Sequence, residues 1–309
     1  MGARDLPFGM LFLSQVSIGM LGNFCLLSHY VHLYYTGCKF RPTDLTIRHL
    51  TVANCLVILS NGVIQTMAAF GVKDFLSDMG CKLVFYVYRV GRDVSINTTS
   101  LLSVSQAITI SPNSSRWAEL KAKLPRYIGP CNILCWMLNL MVDVMVPLHM
   151  YRSRNDKNIT KKTDHGSCYS VSKGVVTKSL YAAFVFSRDV CSVGLLLWSS
   201  GFMVLTLYRH KQQVQHIRRS NTSSRCSPAS RATHSILVLV STFVSLCTVS
   251  TIIHICFTVV ETPSWWLVHT SALLTGSFPA VSPYILLSHD SRVPRLCSGF
   301  SEERRPCFE

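Results

Sequence analysis

The side chains with chemistry to offer in this 309-residue sequence are charges embedded in long apolar stretches. Arg89, Arg92 and Asp93 stand close together, and Arg188 is followed by Asp189. A charge inside hydrocarbon is costly and normally faces a bundle interior or a water-filled cavity, so these positions mark a candidate ligand site. The planar fork of arginine suits an anion or a carbonyl-bearing molecule, a steroid conjugate for example. The same charges could instead compensate one another across helices and fix packing. Neither reading is catalytic, because the sequence contains no His-Glu-x-x-His helix, no phosphate-cradling glycine loop and no convincing pair of nucleophile and base. The 13 cysteines show no C-x-x-C spacing for zinc or redox chemistry and are mostly read as small buried apolar residues. No cofactor and no metal are expected, and the chain is not read as an enzyme.

The elements that must hold these charges are set by composition. Only 15% of residues are charged against 49% apolar, well short of the roughly one quarter charged in a soluble domain, which points to lipid. A helix needs about 20 mostly apolar residues to cross the hydrocarbon layer. Long gaps between charges give seven such stretches: Phe8 to Leu33, Leu45 to Phe70, Leu83 to Ile110, Tyr127 to His149, Ser179 to Tyr208, Thr233 to Val260 and Trp265 to Ser288. The expected fold is an all-α membrane protein, a seven-transmembrane helix bundle occupying residues 1–288, with a short tail at 289–309. The first apolar run has neither a basic lead nor a small-residue cleavage signature, so it is read as a retained span.

Basic residues outnumber acidic ones 30 to 15, and their placement favours an orientation signal over nucleic-acid binding. Lys39, Arg41 and Arg48 mark the first loop, Arg116, Lys121, Lys123 and Arg126 the third, and Arg209, Lys211, Arg218, Arg219, Arg225 and Arg231 the fifth. Arg292 and Arg295 add the tail to the same side. The N-terminus is therefore expected outside and the C-terminus in the cytoplasm. The segment between spans 4 and 5 is also basic, from Arg152 to Lys178, and opposes that assignment. No internal repeat is visible, and an odd number of spans does not suit the two equal inverted halves of many transporters.

Specific strings then become informative. Phe40-Arg41-Pro42-Thr43-Asp44-Leu45, Gln65-Thr66-Met67-Ala68-Ala69-Phe70-Gly71 and Gly80-Cys81-Lys82-Leu83-Val84-Phe85-Tyr86 come first. Val94-Ser95-Ile96-Asn97-Thr98-Thr99, His210-Lys211-Gln212, Ser241-Thr242-Phe243-Val244-Ser245 and Phe278-Pro279-Ala280-Val281-Ser282-Pro283 follow. Over nearly its whole length the chain resembles the vomeronasal type-1, pheromone-type G-protein-coupled receptors, which are similar to rhodopsin-like receptors in architecture. It departs from ordinary hormone or amine receptors: counted from Cys81, the Asp-Arg-Tyr position reads Ser105-Gln106-Ala107, and the amine-binding aspartate position is Tyr88, followed by Arg89. Span 6 has no Cys-Trp-x-Pro and span 7 no Asn-Pro-x-x-Tyr, although Pro279 and Pro283 loosen span 7.

The resemblance implies a plasma-membrane, multi-pass receptor that binds a small pheromone-like ligand between its outer helix halves and activates a heterotrimeric G protein. Tyr88, Arg89, Arg188 and His254 are the candidate ligand residues. It also implies a disulfide between Cys81 and Cys168, two free thiols being the alternative, and glycosylation at the sequon headed by Asn158. Arg116, Arg209, Lys211, Arg218 and Arg219 are candidate G-protein contacts, and charge that orients the chain beside anionic lipid would account for the same residues. The alternatives are a small polytopic transporter or channel whose path is the intramembrane charges, and a bitter-taste-type receptor.

Overall fold

The computed structural model describes residues 6–37, 41–72, 76–111, 115–145, 150–152, 162–165, 168–171, 187–188, 190–206, 208–209, 238, 241–242, 245 and 265–290. Span 1 is one helix, Leu6–Tyr35, span 2 runs over Pro42–Ala69, and span 3 is the helix Asp78–Ile110. Span 4 is Ser115–Val142 with a 3-10 turn at Asp143–Met145, span 5 is described over Val190–Thr206, and span 7 is Trp265–His289. The His254 and Asp189 positions and most of span 6 lie outside the described residues. Three of the described helices, at Leu6–Tyr35, Pro42–Ala69 and His269–Ser288, are long and apolar enough to cross a membrane.

Local sequence explains the helix ends. Pro42 opens span 2, where its missing N–H costs nothing, and the Asp44 carboxylate accepts from the Arg41 backbone N–H at 2.9 Å. The Ser77 hydroxyl caps span 3 by accepting from the Gly80 N–H at 3.1 Å, with Asp78 in the first turn where the helix dipole favours an anion. A π-turn at Ile58–Gly62 interrupts span 2. Span 4 starts well before the Tyr127 suggested by hydropathy. Residues 117–124 are mostly good helix formers, and Lys123 pairs with Glu119 one turn back at 2.6 Å, so the helix continues beyond the apolar stretch. The basic segment between spans 4 and 5 holds a feature that hydropathy did not suggest. Met150–Arg152, Lys162–His165 and Cys168–Val171 form a small antiparallel sheet with Cys168–Val171 as the central strand, and Met150–Arg152 packs against span 3.

Without water to drive them together, membrane helices associate through close packing and internal hydrogen bonds. Span 1 meets span 7 across glycines: a Cβ on Gly22 would stand 2.6 Å from the Tyr284 ring, and one on Gly19 would stand 3.1 Å from the Ala280 Cβ. Gly91 brings span 3 against span 2, where a Cβ would stand 3.2 Å from the Ala53 carbonyl. The apolar core joins Leu26 and Tyr30 of span 1, Leu50 of span 2, Leu102 of span 3, Met203 of span 5 and Phe278 of span 7. Leu11, Ile18, Leu21 and Phe24 remain exposed on span 1, as an outward face toward lipid requires.

Buried polar links join the spans as well. Asn54, only 1% exposed, accepts from the Ser95 hydroxyl at 2.8 Å and donates to the Ser282 Oγ at 2.9 Å, tying spans 2, 3 and 7 together. Asn23 of span 1 donates to the Pro279 carbonyl at 2.9 Å. A proline at 283 leaves the carbonyl of residue 279 without its helical donor, so this bond meets a need built into span 7. Trp136 of span 4 donates to His49 of span 2 at 3.1 Å.

Candidate functional site

Span 3 carries Arg89 and Asp93 one turn apart, on the same face, with Arg92 beside them. The Asp93 carboxylate is 1% exposed and gathers three guanidinium groups: Arg89 Nε at 3.2 Å, Arg92 Nη1 at 3.1 Å, and Arg188 Nη2 in a close ion pair. Arg188 is helical and lies at the start of the described part of span 5, so this contact bridges two spans that are distant in sequence. Its Nη1 donates to Asn139 Oδ1 of span 4 at 3.0 Å. Asn97 Nδ2 approaches the same Asn139 oxygen at 3.4 Å, and Ser192 of span 5 donates to Asn97 Oδ1 at 2.9 Å. Tyr86 donates to the Leu140 carbonyl at 2.8 Å, fastening the end of span 4 beside the cluster. Asp143, in the turn that closes span 4, is fully buried 3.9 Å from Arg89 Nε and 3.9 Å from Arg188 Nη1. Neither of its carboxylate oxygens has a hydrogen-bond partner among the described residues.

This arrangement pairs and orients charge, setting three guanidinium groups against two carboxylates. Asp93 is the structural hub, and the Arg89, Arg92 and Arg188 side chains around it are 21%, 30% and 19% exposed. Tyr88, beside Arg89 on span 3, is half-buried. Among the described residues no group of three or more histidine, cysteine, aspartate or glutamate side chains is placed to hold a metal ion.

Two of the four candidate ligand residues, Arg89 and Arg188, are brought together on Asp93, and Tyr88 lies next to them. His254 and Asn158 lie outside the described residues, as do Lys211, Arg218 and Arg219. Arg209 is exposed, and Arg116 lies in the first turn of the span 4 helix. Cys81 is fully buried and disulfide-bonded, and Cys168 begins the central strand of the sheet. Sequence reasoning missed Asp143, Asn139 and Asn97 as members of the site. Asp143 carried the same signal that singled out Asp93, a lone acid within the apolar run Met141-Val142-Asp143-Val144-Met145. The asparagines carried no comparable signal, because neutral amides are far less costly in a span.

Residues 7–299 match the model of the vomeronasal organ pheromone receptor family. The chain belongs to this family. It is 51% identical to the human vomeronasal type-1 receptor 2 over 96% of its own length and 75% of the relative's. Against the human vomeronasal type-1 receptor 3 it is 50% identical, over 97% of this chain and 96% of that one. A more distant relative, the olfactory receptor class A-like protein 1 of Danio rerio, is 31% identical over 96% of this chain and 94% of the other. The chain is thus a membrane-embedded, predominantly helical seven-transmembrane receptor of the chemosensory, G-protein-coupled kind, and its relatives are receptors, not enzymes.

Proposed function

We propose that this vomeronasal-family receptor binds a small organic, pheromone-like ligand in the half of the bundle where span 3 begins, and that occupancy activates a heterotrimeric G protein at the opposite face. The observation that supports the ligand site is the partly exposed Arg89 side chain, which with Arg92 and Arg188 converges on the buried Asp93 carboxylate. A ligand touching Arg89, with Tyr88, Arg188 and His254 around it, perturbs the contact that holds span 5 to span 3. Differential affinity of that kind is what shifts a two-state bundle.

On this reading the N-terminus is outside at the plasma membrane and the tail is cytoplasmic. The Cys168 strand then lies over the ligand entrance, and a Cys81–Cys168 bridge pins it there. The packing of Met150–Arg152, its neighbour in the sheet, against span 3 supports that pairing. Asn158 is glycosylated in the same outer segment. Arg116, Arg209, Lys211, Arg218 and Arg219 face the G protein.

The test is calcium recording in cells co-expressing a chemosensory G protein while volatile compounds, steroids and steroid conjugates are presented in pools. The expected result is a G-protein-dependent response that Arg89→Ala weakens at least about tenfold while surface delivery is retained, consistent with loss of a charge-assisted hydrogen bond. Transport of ligand without any G protein, abolished by the same substitution, would replace the receptor reading with a transporter.

A further inference from the structure

We infer that the helical lead-in to span 4 is an inhibitory clamp. Lys121 and Trp117, one turn apart, grip the end of span 3 and the adjoining part of span 5, and hold the resting arrangement of the two spans until a ligand releases it. The inference deepens the proposed function and rests on its orientation, in which the Ser111 end of span 3 is cytoplasmic.

Span 3 carries no charged residue between Asp93 and its end at Ile110, so the span itself supplies no ion pair to lock that end. The last carbonyls of a helix lack intrahelical donors and attract cations. Here the Ser111 hydroxyl donates to the Ile108 carbonyl at 2.6 Å, and the Lys121 ammonium donates to the Ser111 carbonyl at 2.7 Å. Ser111 is buried, so a lysine of the span 4 helix reaches into the closed end of span 3.

Residues four apart share a helix face, and Trp117 stands one turn before Lys121. The Trp117 ring meets Phe202 of span 5, with centroids 5.3 Å apart and planes tilted by 36°, and Phe202 stacks in turn on Trp198 at 6.1 Å. Phe202 and Ile110 also pack against the apolar core that contains Ala107 of span 3 and Met203 of span 5. One helical turn thus holds both spans at the end opposite the Asp93 cluster. Because Lys121 ties the lead-in to span 3, moving span 5 away from span 3 must pull Phe202 off Trp117. The contact is modest: an aromatic pair of this kind weighs an equilibrium by about two- to tenfold beyond its buried area, which differential ligand affinity can overcome.

The experiment uses the full-length receptor without ligand. Loading of a non-hydrolysable GTP analogue onto a co-expressed chemosensory G protein, normalised to surface receptor, reads activity. Amide hydrogen exchange over residues 199–206 of the purified receptor in nanodiscs reads how firmly span 5 is held. Trp117→Ala and Lys121→Gln are each expected to raise ligand-free loading about two- to tenfold and to speed that exchange. Trp117→Phe, which keeps a ring, should stay close to wild type. Adding Phe202→Ala to Trp117→Ala should do no more than the larger single change, because both remove one contact. Phe202→Leu removes the same ring contact from the span 5 side if Trp117→Ala is poorly delivered. Unchanged amide exchange in the Trp117 and Lys121 variants overturns the clamp. Faster exchange with unchanged or lower ligand-free loading, in a receptor that still answers the ligand pools, overturns its inhibitory role. If neither wild type nor any variant activates a G protein under any pool, the proposed function falls and the inhibitory role with it, while amide exchange still decides whether the clamp exists.

Discussion

Replacing Asp93 by asparagine should destabilise the receptor more than any other single change of comparable size in the bundle. The substitution keeps volume and one acceptor oxygen but removes the charge on which three guanidinium groups converge, at 3.2 Å from Arg89, 3.1 Å from Arg92 and in a close pair with Arg188. Breaking a buried ion pair by deleting one partner costs about 3–5 kcal/mol, because the other charge is left uncompensated. Here the three arginine side chains are 19–30% exposed, and water screens part of the loss, which argues for the lower end, about 3 kcal/mol. Asp143 cannot substitute, since it reaches only two of the three cations and at 3.9 Å. For a chain of this size such a loss lowers the unfolding midpoint by roughly 6–10 °C. The assay is thermal unfolding of the detergent-solubilised receptor, together with surface display of a tagged chain. Adding Arg188→Gln to Asp93→Asn should recover part of the loss, because the pair is then removed together. A midpoint within about 2 °C of wild type, with normal surface display, would refute the assignment of Asp93 as the hub.

Three further outcomes follow from the packing. Asn54→Leu leaves the Ser95 hydroxyl without its acceptor and the Ser282 oxygen without its donor inside a fully buried junction and should cost about 1–3 kcal/mol, read as a lower unfolding midpoint. Gly22→Leu places its side chain where a Cβ alone would already be 2.6 Å from the Tyr284 ring, and the Tyr284 hydroxyl bond to the Ile18 carbonyl at 2.7 Å must shift with it. The expected loss is about 1–3 kcal/mol, and Gly22→Ala should be milder; equal midpoints for the two would contradict the close approach of spans 1 and 7. Cys81→Ser should lower stability by about 2–4 kcal/mol and make the variant insensitive to reductant, whereas wild type loses its extra stability when reduced.

Much of this architecture was legible in the sequence, for a reason particular to membranes. Hydrocarbon leaves a chain so few options that the gaps between charges nearly dictate where helices run, and the same rule flagged Arg89, Asp93 and Arg188 as anomalies needing partners. That they share a partner was not legible, because Arg188 and Asp93 are 95 residues apart and meet only when spans 3 and 5 pack. The Ser115–Val142 helix was seen only in part because hydropathy reports the lipid boundary, whereas helix propensity continues past it through Glu119 and Lys123. The Asn54 junction escaped notice for a different reason. A lone amide in an apolar run is common and inexpensive, so its importance appears only once Ser95 and Ser282 are found against it.

Span 5 is joined to span 3 unevenly, and that unevenness bears on how a ligand at Arg89 could move the bundle. At one end lies the ion pair from Arg188 to Asp93, backed by Asn139. Further along, the contacts are neutral and small: Ser192 to Asn97 at 2.9 Å, Ser100 to the Ser192 carbonyl at 3.1 Å, and Ser103 against Ser199 at 2.6 Å. Hydrogen bonds of this last kind inside membranes contribute about 0.6 kcal/mol each, because hydroxyl groups find other partners readily. The strong fastening therefore sits beside the proposed ligand site, while the rest of the seam can slip by exchanging one weak hydroxyl contact for another. On the proposed reading, a ligand that redirects Arg89 changes how Asp93 is shared, and Arg188 responds through the same carboxylate. With several kilocalories concentrated at one end and only tenths at each contact beyond it, the proposed ligand site would move span 5 from the end where its fastening to span 3 is strongest.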